Sequence, residues 1–180
     1  MFTPNPQIIG ALQAKSGQVL HLLAGQVYFG SEASQVRTLL GSCVSITLWH
    51  PRKRLAGMCH FLLPERTRTP EMQPDARYGT EAATFLFDAV RRTGIPPLEF
   101  DAYLYGGADT LPENLGLKFD VGERNIELGG GLIEQYGFTL QEVDVGDCVP
   151  RSVVLDLVKG EVLMRRGQPL KGPPGATAQR

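Results

Sequence analysis

The sequence predicts a single α/β domain of mixed β-sheets with flanking helices. Three observations indicate this class of fold. The chain has 180 residues, 42% of them hydrophobic, which is enough to build one independent core. Several short segments alternate apolar and polar residues, as half-buried strands do. A longer segment, residues 80–93, instead spaces its apolar residues at helical intervals.

Both ends of the chain are expected to lie outside this domain. Residues 1–14 predict a flexible N-terminal arm. Residues 167–180 contain three prolines and three glycines, a composition typical of a disordered tail. No internal repeat and no linker divides the residues between these ends, so one domain is predicted there.

The first strands are predicted in the N-terminal third of the chain. Two apolar runs within residues 18–28 flank an Ala-Gly pair and predict a hairpin. Residues 44–49 alternate as a half-buried strand should. Pro51 and its polar neighbours predict a turn, and residues 55–63 then predict the returning strand.

Helices are predicted at residues 80–93 and 122–136. The first ends at Gly94, and the prolines that follow prevent its continuation. One stripe of its surface is apolar and consists of Ala82, Phe85, Leu86, Ala89 and Val90. The second carries consecutive glycines at 129–131, each of which costs about 1 kcal/mol relative to alanine. Further strands are predicted at residues 100–105, 139–145, 151–158 and 161–165, the last two joined by a Lys-Gly turn.

Composition and charge argue against several classes of function. The net charge of −1 gives no electrostatic basis for binding nucleic acid or an anionic membrane. No apolar run approaches the roughly 20 residues that span a bilayer, and the N-terminus lacks the basic and apolar segments of a secretory signal. Three cysteines at irregular spacing predict reduced thiols and a cytoplasmic protein.

A cysteine and a histidine are predicted to face each other across the strand pair 44–63. If Trp49 lies opposite Arg54, opposed residue numbers sum to 103, and Cys43 then lies directly opposite His60. Opposed side chains on one face have β-carbons about 5 Å apart. A slip of one residue would send the two side chains to opposite faces.

This pairing predicts a cysteine nucleophile. Free cysteine, with a pKa of about 8.5, is mostly protonated at neutral pH, so Cys43 needs a base such as His60 to accept its proton. The resulting imidazolium can later protonate a leaving amine or ammonia. Gly41 and Ser42 add little bulk beside the sulfur, and backbone N–H groups there are candidates to bind an oxyanion.

Two structural alternatives stay open from the residues alone. A cysteine in an apolar segment is often a small buried hydrophobe, and a histidine at a strand end is often structural. A zinc site built from Cys43, Cys59, His60 and Cys148 is the other alternative, although no Cys-x-x-Cys pair supports it. In the predicted strand Cys59 faces away from His60 and is expected to be structural.

Five motifs are shared, in order, with one known family. They are Thr-Leu-Leu-Gly-Ser-Cys-Val at 38–44, Gly-Met-Cys-His-Phe-Leu-Leu-Pro at 57–64, Arg-Tyr at 77–78, Gly-Gly-Ala at 106–108 and Gly-Glu-Arg-Asn at 122–125. By these motifs the chain resembles the CheD family of bacterial chemotaxis, whose members are chemoreceptor glutamine deamidases. The resemblance extends over residues 17–166 and implies a CheD-like deamidase domain at residues 15–166. It also implies an α/β fold similar to that of bacterial deamidating toxins.

The resemblance implies roles for individual residues. Cys43 matches the nucleophile of the family, and His60 matches its general base and acid. The family also uses a threonine just before the Leu-Gly-Ser-Cys element. Thr38 is the nearest match in this chain, whereas some members have the threonine at the position of Arg37.

The resemblance implies a function, and alternatives remain beside it. It implies hydrolysis of glutamine side-chain amides on methyl-accepting chemoreceptors, through a thioester and without a metal or organic cofactor. One alternative is a module that binds receptors and a CheC-type phosphatase without catalysis. The others keep the cysteine chemistry but change the substrate, as in a receptor methylesterase, a thiol protease or a transglutaminase. No nucleic-acid partner and no membrane-embedded segment are expected.

Overall fold

The computed structural model describes residues 8–109 and 120–169. Within these ranges, nine strands and two α-helices form three layers, and a short 3₁₀ helix at Pro97–Glu99 precedes the sixth strand. The strands are β1 (Val19–Leu22), β2 (Gln26–Gly30), β3 (Gln35–Leu40), β4 (Val44–His50), β5 (Leu55–His60), β6 (Asp101–Gly106), β7 (Thr139–Val145), β8 (Arg151–Asp156) and β9 (Glu161–Arg166). The helices are α1 (Gly79–Thr93) and α2 (Val121–Tyr136).

The strands form two mixed sheets. The five-stranded sheet has the order β2-β5-β4-β6-β7, and its last two strands are parallel. The four-stranded sheet has the order β1-β3-β8-β9, and its first two strands are parallel. The remaining neighbours are antiparallel. This architecture confirms the predicted α/β domain of mixed sheets with flanking helices, while the likeness to deamidating toxins stays a prediction.

The five-stranded sheet is the middle layer. Alternate residues of a strand face opposite sides of its sheet. On one side, Ile46 of β4 shares a core with Leu86 of α1 and Leu132 of α2. On the other side, Met58 of β5 shares a second core with Leu40 of β3 in the four-stranded sheet. Strand β4 is therefore buried at every position.

Helix α1 has the predicted apolar stripe, because all five residues of that stripe are buried. The helix ends at Gly94, which adopts a left-handed conformation (φ 71°) and donates its N–H to the carbonyl of Arg91. This is a common helix ending, and glycine adopts it without steric cost. Arg91 and Arg92 lie in the last turn, where positive charge interacts favourably with the helix dipole.

The consecutive glycines at 129–131 of α2 have different surroundings. A β-carbon on Gly129 would lie 2.7 Å from Cδ1 of Leu104, so the bare backbone lets the helix approach the sheet closely. A β-carbon on Gly131 would have no described neighbour within 4 Å. Gly129 therefore serves packing, whereas Gly131 is an exposed helix position at which no contact requires glycine.

We expect opposite effects from alanine at these two positions. Gly131→Ala should raise the free energy of unfolding by about 0.5–1 kcal/mol, because alanine loses less backbone entropy in a helix. Gly129→Ala should lower it by about 1–3 kcal/mol, because the new methyl group overpacks against Leu104. Urea denaturation of the two variants measures both changes, and effects of the same sign would contradict the packing described for α2.

The predicted hairpin at residues 18–28 is wrong, because its two runs form β1 and β2 and enter different sheets. Gly25 (φ 81°) lies between them and donates its N–H to the carbonyl of His60. Leu20 of β1 packs in the core between the sheets, whereas Val27 of β2 packs on the helix side. Tyr28 of β2 also reaches the core between the sheets, so β2 contributes to both cores whereas the buried residues of β1 enter only that one.

The register of β4 and β5 differs from the predicted one by two residues. His50 pairs with Leu55, because Arg54 belongs to the turn and adopts a positive φ of 52°. Opposed residue numbers therefore sum to 105, and Cys43 is not directly opposite His60. Side chains alternate with a period of two, so this shift keeps both residues on the same face of the sheet.

Part of the predicted N-terminal arm is attached to the domain. Ile8 is buried in the core, and Ile9 and Ala11 form isolated β-bridges to neighbouring segments. Apolar burial and backbone hydrogen bonds hold these residues, so they do not form a free arm. The rest of the predicted arm and most of the predicted tail, residues 1–7 and 170–180, lie outside the described residues.

Neither α-helix in the described ranges combines the length and the apolar composition that a membrane span requires.

Candidate active site

A cavity of about 730 Å³ opens where the two sheets meet. Thr38 reaches it from β3 of the four-stranded sheet, whereas His60 ends β5 of the five-stranded sheet. Cys43 lies in the short connection between β3 and β4, directly before the strand begins. All residues predicted for the site line this one cavity, namely Thr38, Gly41, Ser42, Cys43 and His60.

The imidazole of His60 is held by the hydroxyl of Thr38. Oγ1 of Thr38 lies 2.8 Å from Nδ1 of His60 and donates to the carbonyl oxygen of Leu22 at 2.9 Å. A hydroxyl has only one proton to donate. Because Leu22 receives that proton, Nδ1 of His60 must carry the N–H and donate to Thr38. Nε2 is then the acceptor of the neutral ring.

Thr38, rather than its neighbour, contacts the histidine. Thr38 is buried, whereas Arg37 is exposed on the opposite face of β3. The guanidinium of Arg37 donates to the side-chain carbonyl of Gln35. The geometry therefore brings His60 together with residue 38 and not with residue 37.

Burial keeps both reacting groups neutral. It lowers the pKa of His60 to about 4, because the charged ring would lose its hydration, although the nearby Leu22 carbonyl acts in the opposite direction. Burial also raises the pKa of the Cys43 thiol. At neutral pH the site therefore contains a thiol and a neutral imidazole, and the proton must move during the reaction itself.

The buried histidine also makes stability depend on pH. The pKa of His60 in the folded state, about 4, lies below its ordinary value of 6.5, so protonation favours the unfolded state. The stability that the neutral ring contributes is fully present above pH 6.5. It is lost as the pH falls towards 4, and the free energy of unfolding decreases by about 3 kcal/mol in total. We expect the unfolding free energy of the wild type, relative to His60→Gln, to fall by this amount between pH 7 and pH 4 in urea denaturation. A difference that does not change with pH would contradict the buried neutral imidazole.

Backbone hydrogen bonds hold the connection that carries Cys43. The N–H groups of Gly107 and Ala108 donate to the carbonyls of Cys43 and Gly41, at 2.9 and 3.0 Å. Gly106 allows this close approach, because it adopts a φ of 112° and its β-carbon would lie 2.2 Å from the carbonyl oxygen of Cys43. The Gly-Gly-Ala motif thus fixes the position of the connection that carries Cys43.

Asn125 of α2 also reaches this connection, and its place in the Gly-Glu-Arg-Asn motif is the only sequence signal for it. Its Nδ2 lies 2.8 Å from the carbonyl oxygen of Leu62 and 3.4 Å from that of Ser42. The residue is fully buried, and its Oδ1 has no hydrogen-bond partner among the described residues. A buried acceptor without a partner costs about 1–3 kcal/mol.

The other two cysteines do not contribute to the site. Cys59 packs in the core on the helix side of the sheet, and burial raises its pKa to about 12, in agreement with the structural role predicted for it. Cys148 is exposed. Within the described ranges, no group of three His, Cys, Asp or Glu side chains is placed to hold a metal ion. The zinc alternative therefore gains no support from the structure.

Sequence comparison identifies relatives over most of the chain. A family model described as CheD chemotactic sensory transduction matches residues 62–166. "Probable chemoreceptor glutamine deamidase CheD 3" of Dechloromonas aromatica is 41% identical over 155 residues, which are 86% of this chain and 88% of that protein. "Probable chemoreceptor glutamine deamidase CheD 1" of Chromobacterium violaceum is 41% identical over 154 residues, 85% of this chain and 80% of that protein. Because a 155-residue match leaves only 25 of 180 residues outside, it includes Thr38, Cys43 and His60.

Likeness to solved structures is weaker. The Bacillus licheniformis hypothetical protein YfiH has a TM-score of 0.40 and 12% identity, over 76% of this chain and 62% of that chain. The match thus covers less than two thirds of YfiH and carries no argument about the site. The sequence relatives show the family, since each combines high coverage with an identity well above 30%. The chain belongs to the CheD family.

Proposed function

We propose that this protein is a chemoreceptor glutamine deamidase with Cys43 as its nucleophile and His60 as its base. The observation that carries the proposal is the hydrogen bond from His60 to Thr38 beside a cavity that Cys43 also lines. Cys43 supplies a thiol, His60 supplies a base, and Thr38 orients that base, and a cysteine nucleophile needs these three groups. The names of the relatives support the choice of a receptor glutamine as the substrate.

The first half of the reaction forms a thioester. The sulfur of Cys43 attacks the carboxamide carbon while Nε2 of His60 accepts the thiol proton. A sulfur–carbon bond forms, and the carbonyl oxygen takes the negative charge. His60 then passes its proton to the amide nitrogen, the carbon–nitrogen bond breaks, and ammonia leaves.

Water completes the reaction. Neutral His60 accepts a proton from a water molecule, whose oxygen attacks the thioester carbon. The carbon–sulfur bond breaks, Cys43 recovers its proton from His60, and a glutamate side chain remains. One amide and one water give one carboxylic acid and one ammonia, so the balance needs no oxidant, reductant or further reactant.

The rim of the cavity favours a protein substrate. Leu23 and Leu39 line the cavity and are 67% and 69% exposed. Exposed apolar side chains grouped beside a site are typical of surfaces that bind another macromolecule. We assign this surface to the cytoplasmic region of a chemoreceptor, which also assigns the protein to the cytoplasm. The binding of a CheC-type phosphatase stays a prediction from the family resemblance.

Replacing Thr38 tests its role in positioning the histidine. Thr38→Val keeps the shape but removes the hydroxyl, so Nδ1 loses its partner and the proton can move to Nε2. We expect kcat for deamidation to fall about 10²-fold or more with KM little changed, because the wrong tautomer cannot accept the thiol proton. Thr38→Ser, which keeps the hydroxyl, should retain most of the activity in a steady-state ammonia assay. Equal losses in the two variants would show that the hydroxyl is not needed.

A comparison of three substrates tests the proposed function. The substrates are a chemoreceptor fragment with glutamines, the same fragment with methyl-esterified glutamates, and an unrelated peptide. We expect ammonia release from the first and no cleavage of the peptide. Methanol release without ammonia release would instead assign a methylesterase. Tight binding of the fragment with no release of either product would favour a non-catalytic adaptor.

A further inference from the structure

We propose that Asn125 is a positioning residue that directs the backbone N–H of Cys43 into the cavity, where this N–H binds the oxyanion formed during attack. The inference rests on the proposed thioester chemistry of Cys43 and adds a residue to it. Asn125 lies on α2, on the opposite side of the sheet from His60, so it acts on the reaction only through the backbone.

The side-chain amide of Asn125 has one orientation that fits its neighbours. Nδ2 lies 2.8 Å from the carbonyl oxygen of Leu62 and 3.4 Å from that of Ser42. Both neighbours are acceptors, so the nitrogen must face them, since Oδ1 in its place would be repelled by both. Asn125 therefore joins the connection before β4 to the segment that follows β5.

This contact sets the direction of the next N–H group. A trans peptide is planar, and its carbonyl and N–H point in opposite directions; the described residues contain no cis peptide bond. Because the carbonyl of Ser42 points towards α2, the N–H of Cys43 points away from α2. That is the side of the sheet on which His60 meets Thr38, so the N–H points towards the cavity.

Among the residues that the structure describes, no acceptor takes the N–H of Cys43, so in this part of the chain it can donate to a ligand. The carbonyls on either side, those of Gly41 and Cys43, are held by backbone N–H groups. Only the carbonyl of Ser42 is held by a side chain. An unpaired N–H beside the attacking sulfur is the kind of donor that stabilises an oxyanion in acyl transfer.

Asn125 contacts its surroundings through Nδ2 alone, because Oδ1 has no hydrogen-bond partner among the described residues. The residue is fully buried, and an apolar side chain in its place would remove the unpaired Oδ1 but would leave the carbonyls of Leu62 and Ser42 without their side-chain donor. What an apolar side chain cannot supply is the pair of donors to Ser42 and Leu62. The structure thus keeps an unfavourable group where only its N–H donors are useful.

Two reactions at the same sulfur test the proposal. Alkylation of Cys43 by iodoacetamide forms no oxyanion, whereas acylation by phenyl acetate forms one at the ester carbonyl. Both rates are measured in a Cys148→Ser background, because Cys148 is also exposed. We expect Asn125→Ala to slow acylation about 10- to 100-fold while alkylation stays within about threefold of the wild type. Glu127→Ala, at an exposed position on the same helix, is the matched control and should leave both rates unchanged.

Other outcomes would overturn the proposal. Equal slowing of both reactions would mean that Asn125 only stabilises the fold, and unchanged acylation would mean that it has no role. If Asn125→Ala does not fold, Asn125→Asp is measured in its place, because it keeps the size of the side chain and removes the donors. The ratio of the acylation rate to the alkylation rate is then expected to fall. In the unaltered protein, hydrogen exchange followed by NMR should show a protected Asn125 side-chain amide and an unprotected Cys43 N–H. A protected Cys43 N–H would contradict the assignment without any variant.

Phenyl acetate also separates this proposal from the proposed function. It requires a reactive Cys43 but no receptor. If the wild type leaves receptor glutamines intact while Asn125→Ala still lowers the ratio of acylation to alkylation, the deamidase function fails and the role of Asn125 stands. If receptor glutamines are converted but the ratio does not change, the function stands and the role of Asn125 fails.

Discussion

Replacing Cys43 with serine is expected to reduce the rate of deamidation by at least about 10³-fold, the scale seen when a catalytic nucleophile is removed. Serine is nearly the same size, so the contacts around residue 43 are kept. Its hydroxyl is much harder to deprotonate than a thiol, and a histidine whose pKa is lowered to about 4 by burial is a weak base for that task. Steady-state release of ammonia from a chemoreceptor fragment measures the loss.

Cys148→Ser is the matched control for this experiment, because it makes the same chemical change at an exposed cysteine outside the cavity. It should leave the rate unchanged, and both variants should unfold at nearly the wild-type urea concentration. Full activity in Cys43→Ser would rule out the thioester route. Equal losses of deamidation rate in the two variants would mean that the loss does not depend on the thiol that lines the cavity.

His60→Gln is expected to have the second largest effect and to change the reactivity of the cysteine as well. We expect kcat to fall about 10³-fold, since both the removal of the thiol proton and its delivery to ammonia depend on the ring. Alkylation of Cys43 at pH 7 should also slow, by about tenfold, because burial raises the pKa of the thiol and no base is left beside it.

The pH dependence of alkylation separates a base from a structural residue. Rates of the wild type and His60→Gln should converge as the pH rises towards the pKa of the thiol, because hydroxide then removes the proton. In the wild type, the advantage should persist down to about pH 4, where His60 itself becomes protonated. Iodoacetamide labelling in the Cys148→Ser background measures both limits. A constant ratio of the two rates at every pH would mean that His60 does not act as a base.

Local sequence patterns predict most elements of this fold, but not how the strands are divided between two sheets. The stripe of α1 and the strand β4 depend on residues close together in the sequence, and both elements are present, although β4 is buried on both faces and not half-buried as its alternation predicts. Strand β3 gives little signal, because Arg37 and Thr38 interrupt its apolar residues. The sequence pattern also cannot show that β1 buries its apolar residues in one core whereas β2 contributes to both. That choice depends on contacts with strands far along the chain.

The site was predictable to the extent that it depends on local pairing. Cys43 and His60 belong to neighbouring strand segments, and a register error of two residues leaves them on the same face. The contact between Thr38 and His60 depends on how one sheet packs on the other, so only the family resemblance could indicate it. Asn125 approaches from a helix on the far side of the sheet, and nothing in the spacing predicts that contact.

Mass spectrometry of a chemoreceptor fragment, after incubation with the wild type or with Cys43→Ala, tests the central claim most directly. We predict a gain of about 1 Da, the change from amide to acid, at one or more glutamine side chains with the wild type and at none with the variant. Conversion of the same glutamines by Cys43→Ala, or no conversion by the folded wild type, would contradict the assignment of Cys43 as the nucleophile of a receptor deamidase.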